Sequence, residues 1–178
     1  MIEQEDLITN NQQEKFSFGK LLFSGFKKFI YVIAVFVIIN FFFQSYYVIG
    51  SSMNNTLKEG EFLLGIRKPF TTISRGDIIT VKHDGKTVIK RLVGLPGDTV
   101  EINETEGLVV NGKPFTVDLQ ASKDQVFGEW VVSDGHVFII GDNRSESRDS
   151  RMYGEVPEND ITCKIFFRYF PFNVSGGL

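Results

Sequence analysis

Three stretches of this chain carry residues whose types and spacing could do chemistry. The first is Gly50-Ser51-Ser52-Met53-Asn54-Asn55-Thr56-Leu57, where Ser52 offers a hydroxyl. A serine hydroxyl is a weak nucleophile until a neighbouring base takes its proton. The second is Thr87-Val88-Ile89-Lys90-Arg91-Leu92-Val93-Gly94-Leu95-Pro96-Gly97-Asp98. Strand alternation sets Lys90 on the same face as Val88 and Leu92. If that face is buried, desolvation disfavours the ammonium, and a neutral lysine can act as a base. Both faces of the stretch are apolar, so one of the charges Lys90 and Arg91 should point inward. The third stretch runs from Gly141 to Arg151, where Asp142, Glu146 and Asp149 cancel Arg144, Arg148 and Arg151. That balance makes a poor phosphate clamp and favours internal pairing. Asp149 with Arg151 could pin the loop while Ser147 or Ser150 offers a hydroxyl to a neighbour. Each stretch alone has an ordinary alternative: a linker, a charge on a solvated strand face, a solvated charged loop.

The elements that must hold these residues are strands. Short runs rich in β-branched and aromatic residues lie at Phe62–Ile66, Asp77–Lys82, Thr87–Val93, Thr99–Ile102, Leu108–Val110, Phe115–Leu119, Gly128–Val132, His136–Ile140 and Thr162–Arg168. Asp84-Gly85, Pro96-Gly97-Asp98, Asn111-Gly112 and Asp134-Gly135 separate them, the third reading as a type I′ hairpin turn. The fold class is mainly β, with an antiparallel β domain over residues 50–178.

Upstream the character changes. No Asp, Glu, Lys, Arg or His occurs between Phe29 and Leu57. As a helix, residues 29–49 would be about 31 Å long, against a hydrocarbon core of roughly 30 Å. This predicts a transmembrane helix over 29–49, with Tyr46 and Tyr47 at the interface. Lys15, Lys20, Lys27 and Lys28 precede it and only Lys58 follows closely, so residues 1–28 are expected to be a cytoplasmic tail and the β domain extracytoplasmic.

Composition removes other classes. A net charge of -3 gives no field to gather nucleic acid. A single cysteine, Cys163, excludes an intramolecular disulfide, and two histidines with it form no zinc-ligand cluster. No metal or other cofactor is expected. His83 sits in a polar turn and His136 opens a strand; neither context demands catalysis, which counts against a Ser/His/Asp triad.

Together the stretches are far more specific than any one of them. Gly50-x-Ser52-Met53 with Thr56-Leu57, then Arg75-Gly76-Asp77-Ile78-Ile79, Lys90-Arg91-x-Val93-Gly94-Leu95-Pro96-Gly97-Asp98 and Gly141-Asp142-Asn143-Arg144-x-x-Ser147-x-Asp149-Ser150-Arg151-x-x-Gly154, resemble the type I signal peptidases of the S26 family. The resemblance covers the chain from about Tyr47 to Phe172, in the compact form typical of Gram-positive enzymes. It implies a membrane-bound serine endopeptidase that removes signal peptides from secreted preproteins through a Ser/Lys dyad. Those substrates carry small residues at positions -1 and -3. On this chain Ser52 is then the nucleophile and, through its backbone N–H, an oxyanion donor, and Lys90 is the general base. Ser147 orients the lysine, and Asp149 with Arg151 forms a structural ion pair. Gly50 stands where Gram-negative relatives supply a second oxyanion donor from a side chain, so that donor is absent or comes from elsewhere. Two other readings share the motifs: a self-cleaving peptidase of LexA-like type, and a catalytically silent relative serving in assembly, for instance of surface pili.

Overall fold

The computed structural model describes residues 23–54, 56–104, 107–115 and 126–178. Most of the expected 1–28 tail, and Thr116–Leu119 of one expected strand, lie outside the described residues. The chain divides into two units, residues 1–41 and 42–178. The first carries helix α1, Phe23–Phe42, which is long and apolar enough to cross a membrane by length and composition. Its side chains are almost all exposed, with Lys27 Nζ over the Phe23 ring.

The second unit holds β1 (Phe43–Tyr47), β2 (Phe62–Arg67), β3 (Ile78–His83), β4 (Lys86–Gly94), β5 (Thr99–Asn103) and β6 (Gly107–Val110). It continues with β7 (Lys113–Pro114), β8 (Gly128–Val131), β9 (His136–Ile140), the one-turn helix α2 (Ser150–Tyr153), β10 (Val156–Pro157), β11 (Ile161–Phe170) and β12 (Gly176–Gly177). Eight strands form one sheet in the order β1-β2-β11-β3-β4-β9-β10, with β12 on β11; the others form a four-stranded sheet, β7-β6-β5-β8. Every pairing is antiparallel.

The helix expected over 29–49 is corrected by the structure. It starts earlier, at Phe23, and stops at Phe42, and the domain boundary expected at residue 50 moves to 42. Residues 43–47 are β1, paired with β2 in the register Phe43↔Ile66 to Tyr47↔Phe62. The lack of charge in Phe-Gln-Ser-Tyr-Tyr speaks for burial or a membrane but cannot separate helix from strand, and its aromatic content suits a strand. β7, β10 and β12, two residues each, were too short to show a period in the sequence.

Two hairpin turns form as their residues dictate: Asp84-Gly85 has φ of 49° and 72°, and Asn111-Gly112 has 53° and 71°. Both central residues of a type I′ turn need positive φ, which Asp, Asn and Gly tolerate. The core has three parts. Val93, Phe138 and Ile140 of the large sheet pack against Val100, Ile102, Leu108 and Val110 of the small one. Ile79, Val81, Leu92, Val137, Ile139 and Ile161 form the second cluster. The third joins Val48, Met53 and Leu57 of the segment after β1 to Leu63, Ile78 and Ile165.

Candidate active site

Ser52 is placed by its neighbours. Met53 is 2% exposed and Leu57 0%, so both side chains anchor the segment on the large sheet. Between them the backbone folds tightly, with Asn54 N bonded to Ser51 O at 3.0 Å, Thr56 N to Met53 O at 2.8 Å and Leu57 N to Met53 O at 2.6 Å. Asn143 ties it to the loop after β9: its N–H donates to Ser52 O at 2.9 Å and its Nδ2 to Ser51 O at 3.0 Å.

Lys90 lies in β4 opposite Ile79 of β3 and is 4% exposed; Arg91, next to it, is 7% exposed. The expectation that one charge faces inward is thus exceeded, because both do. Arg91 is buried with a partner: Nε and Nη2 donate to Asp142 at 2.8 and 2.5 Å, and Nη1 to Gly76 O at 2.6 Å. Thr56 Oγ1 donates to the same carboxylate at 2.5 Å, a link the sequence did not reveal although both residues fall in the motifs. Among the described residues Lys90 has no such carboxylate partner at ion-pair distance. Burial lowers its pKa to about 8, with Asp149 and Asp142 opposing the fall and Arg151 adding to it. At pH 7 such a lysine is neutral in about one molecule in ten, against fewer than about one in 10³ for an exposed one.

Ser52 and Lys90 line one cleft of about 170 Å³ together with Tyr47–Gly50, Met53 and Thr87–Ile89. A buried amine of lowered pKa on the same cleft as a serine has the chemistry to remove a hydroxyl proton and later return it to a leaving group.

Ser147, Asp149 and Arg151 come to the same place. Gly141 explains how: a Cβ there would stand 2.6 Å from both Ser147 Cβ and Ser52 O, so only glycine lets the loop close on the Ser52 backbone. Gly141 N donates to Asp149 Oδ2 at 2.9 Å. Arg151 Nε and Nη2 reach the Asp149 carboxylate at 2.8 and 3.0 Å, and Nη2 also reaches Arg144 O at 2.8 Å. Burial alone would push the Asp149 carboxyl up, but the hydrogen bond and charge of Arg151 hold it below the usual range. Asp149 also caps α2, accepting from Arg151 N. Ser150, which could equally have offered its hydroxyl, instead receives Ile139 N at 3.0 Å. The Ser147 hydroxyl is buried beside the Asp149 carboxylate, outside hydrogen-bonding geometry and without another partner among the described residues. Gly141, Asn143 and the Thr56–Asp142–Arg91 group were missed as positioning residues; all fall within the three stretches, but no local pattern separates them from a linker, a solvated strand face or a solvated loop.

Neither histidine lines this cleft. His83 stacks on Tyr153 with ring centroids 4.0 Å apart, and His136 Nδ1 faces Asp134 O at 3.1 Å. Among the described residues no group of His, Cys, Asp and Glu could hold a metal ion.

Residues 24–170 match the family described as "Signal peptidase, peptidase S26". The chain belongs to that family. Among its relatives, a signal peptidase I of Bacillus licheniformis is 34% identical over 95% of this chain and 96% of the relative. One from Bacillus amyloliquefaciens is 37% identical over 83% and 84%, and signal peptidase I V of Bacillus subtilis (strain 168) 39% over 71% and 85%. A crystal structure of a signal peptidase I from Enterococcus faecalis V583 matches with a TM-score of 0.44 at 30% identity, over 51% of this chain and 94% of that one. In this S26 member the matched span includes the segments 50–57, 87–98 and 141–151 that carry Ser52, Lys90 and the Asp149–Arg151 pair.

Proposed function

We propose that this S26 protein is a serine endopeptidase that cleaves signal peptides from preproteins, with Ser52 as nucleophile and Lys90 as general base. The observation that carries the reading is the shared cleft: Ser52 opens onto it, and Lys90 is buried in its wall. Lys90 takes the Ser52 proton as Ser52 Oγ attacks the scissile carbonyl, passes it to the departing amine, and then activates the water that hydrolyses the acyl-enzyme. The Ser52 backbone N–H holds the oxyanion. Asp149 paired with Arg151 fixes the loop that presents Ser147 to the lysine.

The family implies substrates with small residues at -1 and -3, and we assign those residues to the cleft that Ser52 and Lys90 line. The purified protein should cleave a preprotein with Ala at both positions and reject one with Leu or Phe there by about 10²-fold or more in kcat/KM. Equal cleavage of the two would remove the specificity assignment, and cleavage of neither would remove the enzymatic one.

Helix α1 is proposed to span the membrane with its N-terminal end in the cytoplasm and the β unit outside, on Lys15 and Lys20 before it and Lys27 and Lys28 in its first turns, against Lys58 beyond its other end. Protease added to intact spheroplasts should then digest the β unit, and its full protection would reverse the orientation.

A further inference from the structure

The nucleophile segment also meets a partly buried charge pair that the proposed mechanism does not use. Arg168 of β11 is paired with Glu61, their side chains 19% and 5% exposed. Arg168 Nη1 donates to both Glu61 carboxylate oxygens at 3.1 Å and to the backbone oxygen of Thr56 at 3.1 Å, and its Nε donates to Val174 O at 2.8 Å. Glu61 is in turn fixed through its backbone: Val48 N donates to Glu61 O at 2.9 Å, and Glu61 N donates to Lys58 O at 3.2 Å. Val48 and Glu61 therefore close the two ends of the segment that carries Ser52, and Arg168 holds that closure to β11.

Thr56 is where this clamp meets the active site. Its carbonyl is held by Arg168 and its hydroxyl by the Asp142 carboxylate that pairs with Arg91. Its N–H is bonded to Met53 O, one peptide beyond Ser52. The turn from Met53 to Leu57 is thus held by two guanidinium–carboxylate pairs, Arg91–Asp142 buried and Arg168–Glu61 partly buried, and Ser52 is the residue directly before it. A planar guanidinium can serve several acceptors in fixed directions, which an ammonium cannot.

We infer that Arg168, with Glu61, is a positioning residue for catalysis that sets the reach of Ser52 by holding the Met53–Leu57 turn through the Thr56 carbonyl. The inference rests on Ser52 being the nucleophile. Arg168 lies outside the set of residues that line the cleft, so its loss should leave substrate binding largely intact while misplacing the attacking oxygen; displacement of a reacting group by about 1 Å can cost about 10²-fold. Nor is Arg168 among the charges felt by Lys90, so the proton-transfer pH range should not move.

The test is steady-state cleavage of an Ala-x-Ala preprotein by the purified full chain as wild type, Arg168→Ala, Arg168→Lys, Glu61→Gln and Ser52→Ala, with folding checked by circular dichroism. Arg168→Ala is expected to lose about 30- to 100-fold in kcat, with KM within about threefold of wild type and the acid limb of the pH–rate profile unmoved. Glu61→Gln, which keeps an acceptor for Arg168, should lose less. Should Arg168→Ala fail to fold, Arg168→Lys is read by the same criteria, because an ammonium cannot satisfy Thr56, Glu61 and Val174 together. A folded variant with wild-type kcat, a loss confined to KM, or a shifted acid limb would each overturn the positioning role. An inert Ser52→Ala beside a normal Arg168 variant sinks this inference alone, whereas an active Ser52→Ala sinks the functional reading beneath it.

Discussion

Lys90→Ala and Lys90→Arg should each lower kcat/KM by about 10³-fold or more while the folded protein persists, because Ser52 without a base is an ordinary alcohol. The arginine variant is the sharper of the two. It keeps a positive charge at a position where the charges of Asp149, Asp142 and Arg151 are all felt, so an electrostatic or structural role for Lys90 would survive in part. A guanidinium does not give up its proton in a protein, so a base does not survive. Cleavage within tenfold of wild type by Lys90→Arg would mean that another group takes the Ser52 proton. Ser52→Ala should be equally inert, and the double variant no worse than either alone, since the two residues form one proton-transfer unit.

Gly141→Ala is the second large effect expected, and it adds only one methyl group. The added Cβ would meet Ser147 Cβ and the Ser52 carbonyl oxygen at 2.6 Å each. Neither neighbour can move freely: Ser52 O accepts from Asn143 N, and the loop carrying Ser147 is held by the Asp149–Arg151 pair. The strain of such overpacking costs about 1–3 kcal/mol of stability. Its larger consequence is catalytic, because whichever side yields separates Ser52 from the groups that serve it, for a loss of about 10²-fold in kcat. The check is a kcat measurement beside a thermal melt. Wild-type kcat in Gly141→Ala would show that the loop and the Ser52 backbone are not packed as described.

The strands that carry the site were legible because their composition was unambiguous. His136–Ile140 forms over the residues expected, and Thr99–Asn103 and Gly128–Val131 differ from expectation by a single terminal residue. The error at 29–49 has a definite cause: Phe43–Tyr47 is uncharged like residues 29–42 before it, and an uncharged aromatic run looks the same whether its partner is lipid or β2. That one of Lys90 and Arg91 faces inward was readable, since both faces of the stretch are apolar. That Arg91 is buried as well was not readable, because its partner Asp142 lies 51 residues away and only the β4–β9 pairing brings the two together. The same holds for Thr56 with Asp142, 86 residues apart, and for Arg168 with Glu61, 107 apart. Sequence showed which residues were out of place in an ordinary β domain; side-chain pairing across sheet neighbours, which no local pattern encodes, showed what holds them there.

The claim on which all of this depends is that a buried lysine of lowered pKa, and not a histidine, is the base. The pH dependence of kcat/KM reports the free enzyme's essential base directly. With Lys90 as the proposed base its neutral form is the active one, so activity should rise with pH through a midpoint near 8, where burial has brought its pKa. The same midpoint should appear in His83→Ala and His136→Ala, whose side chains lie off the cleft. An acid limb centred near 6.5, the ordinary range of histidine, and abolished in either histidine variant, would contradict the Ser52–Lys90 assignment.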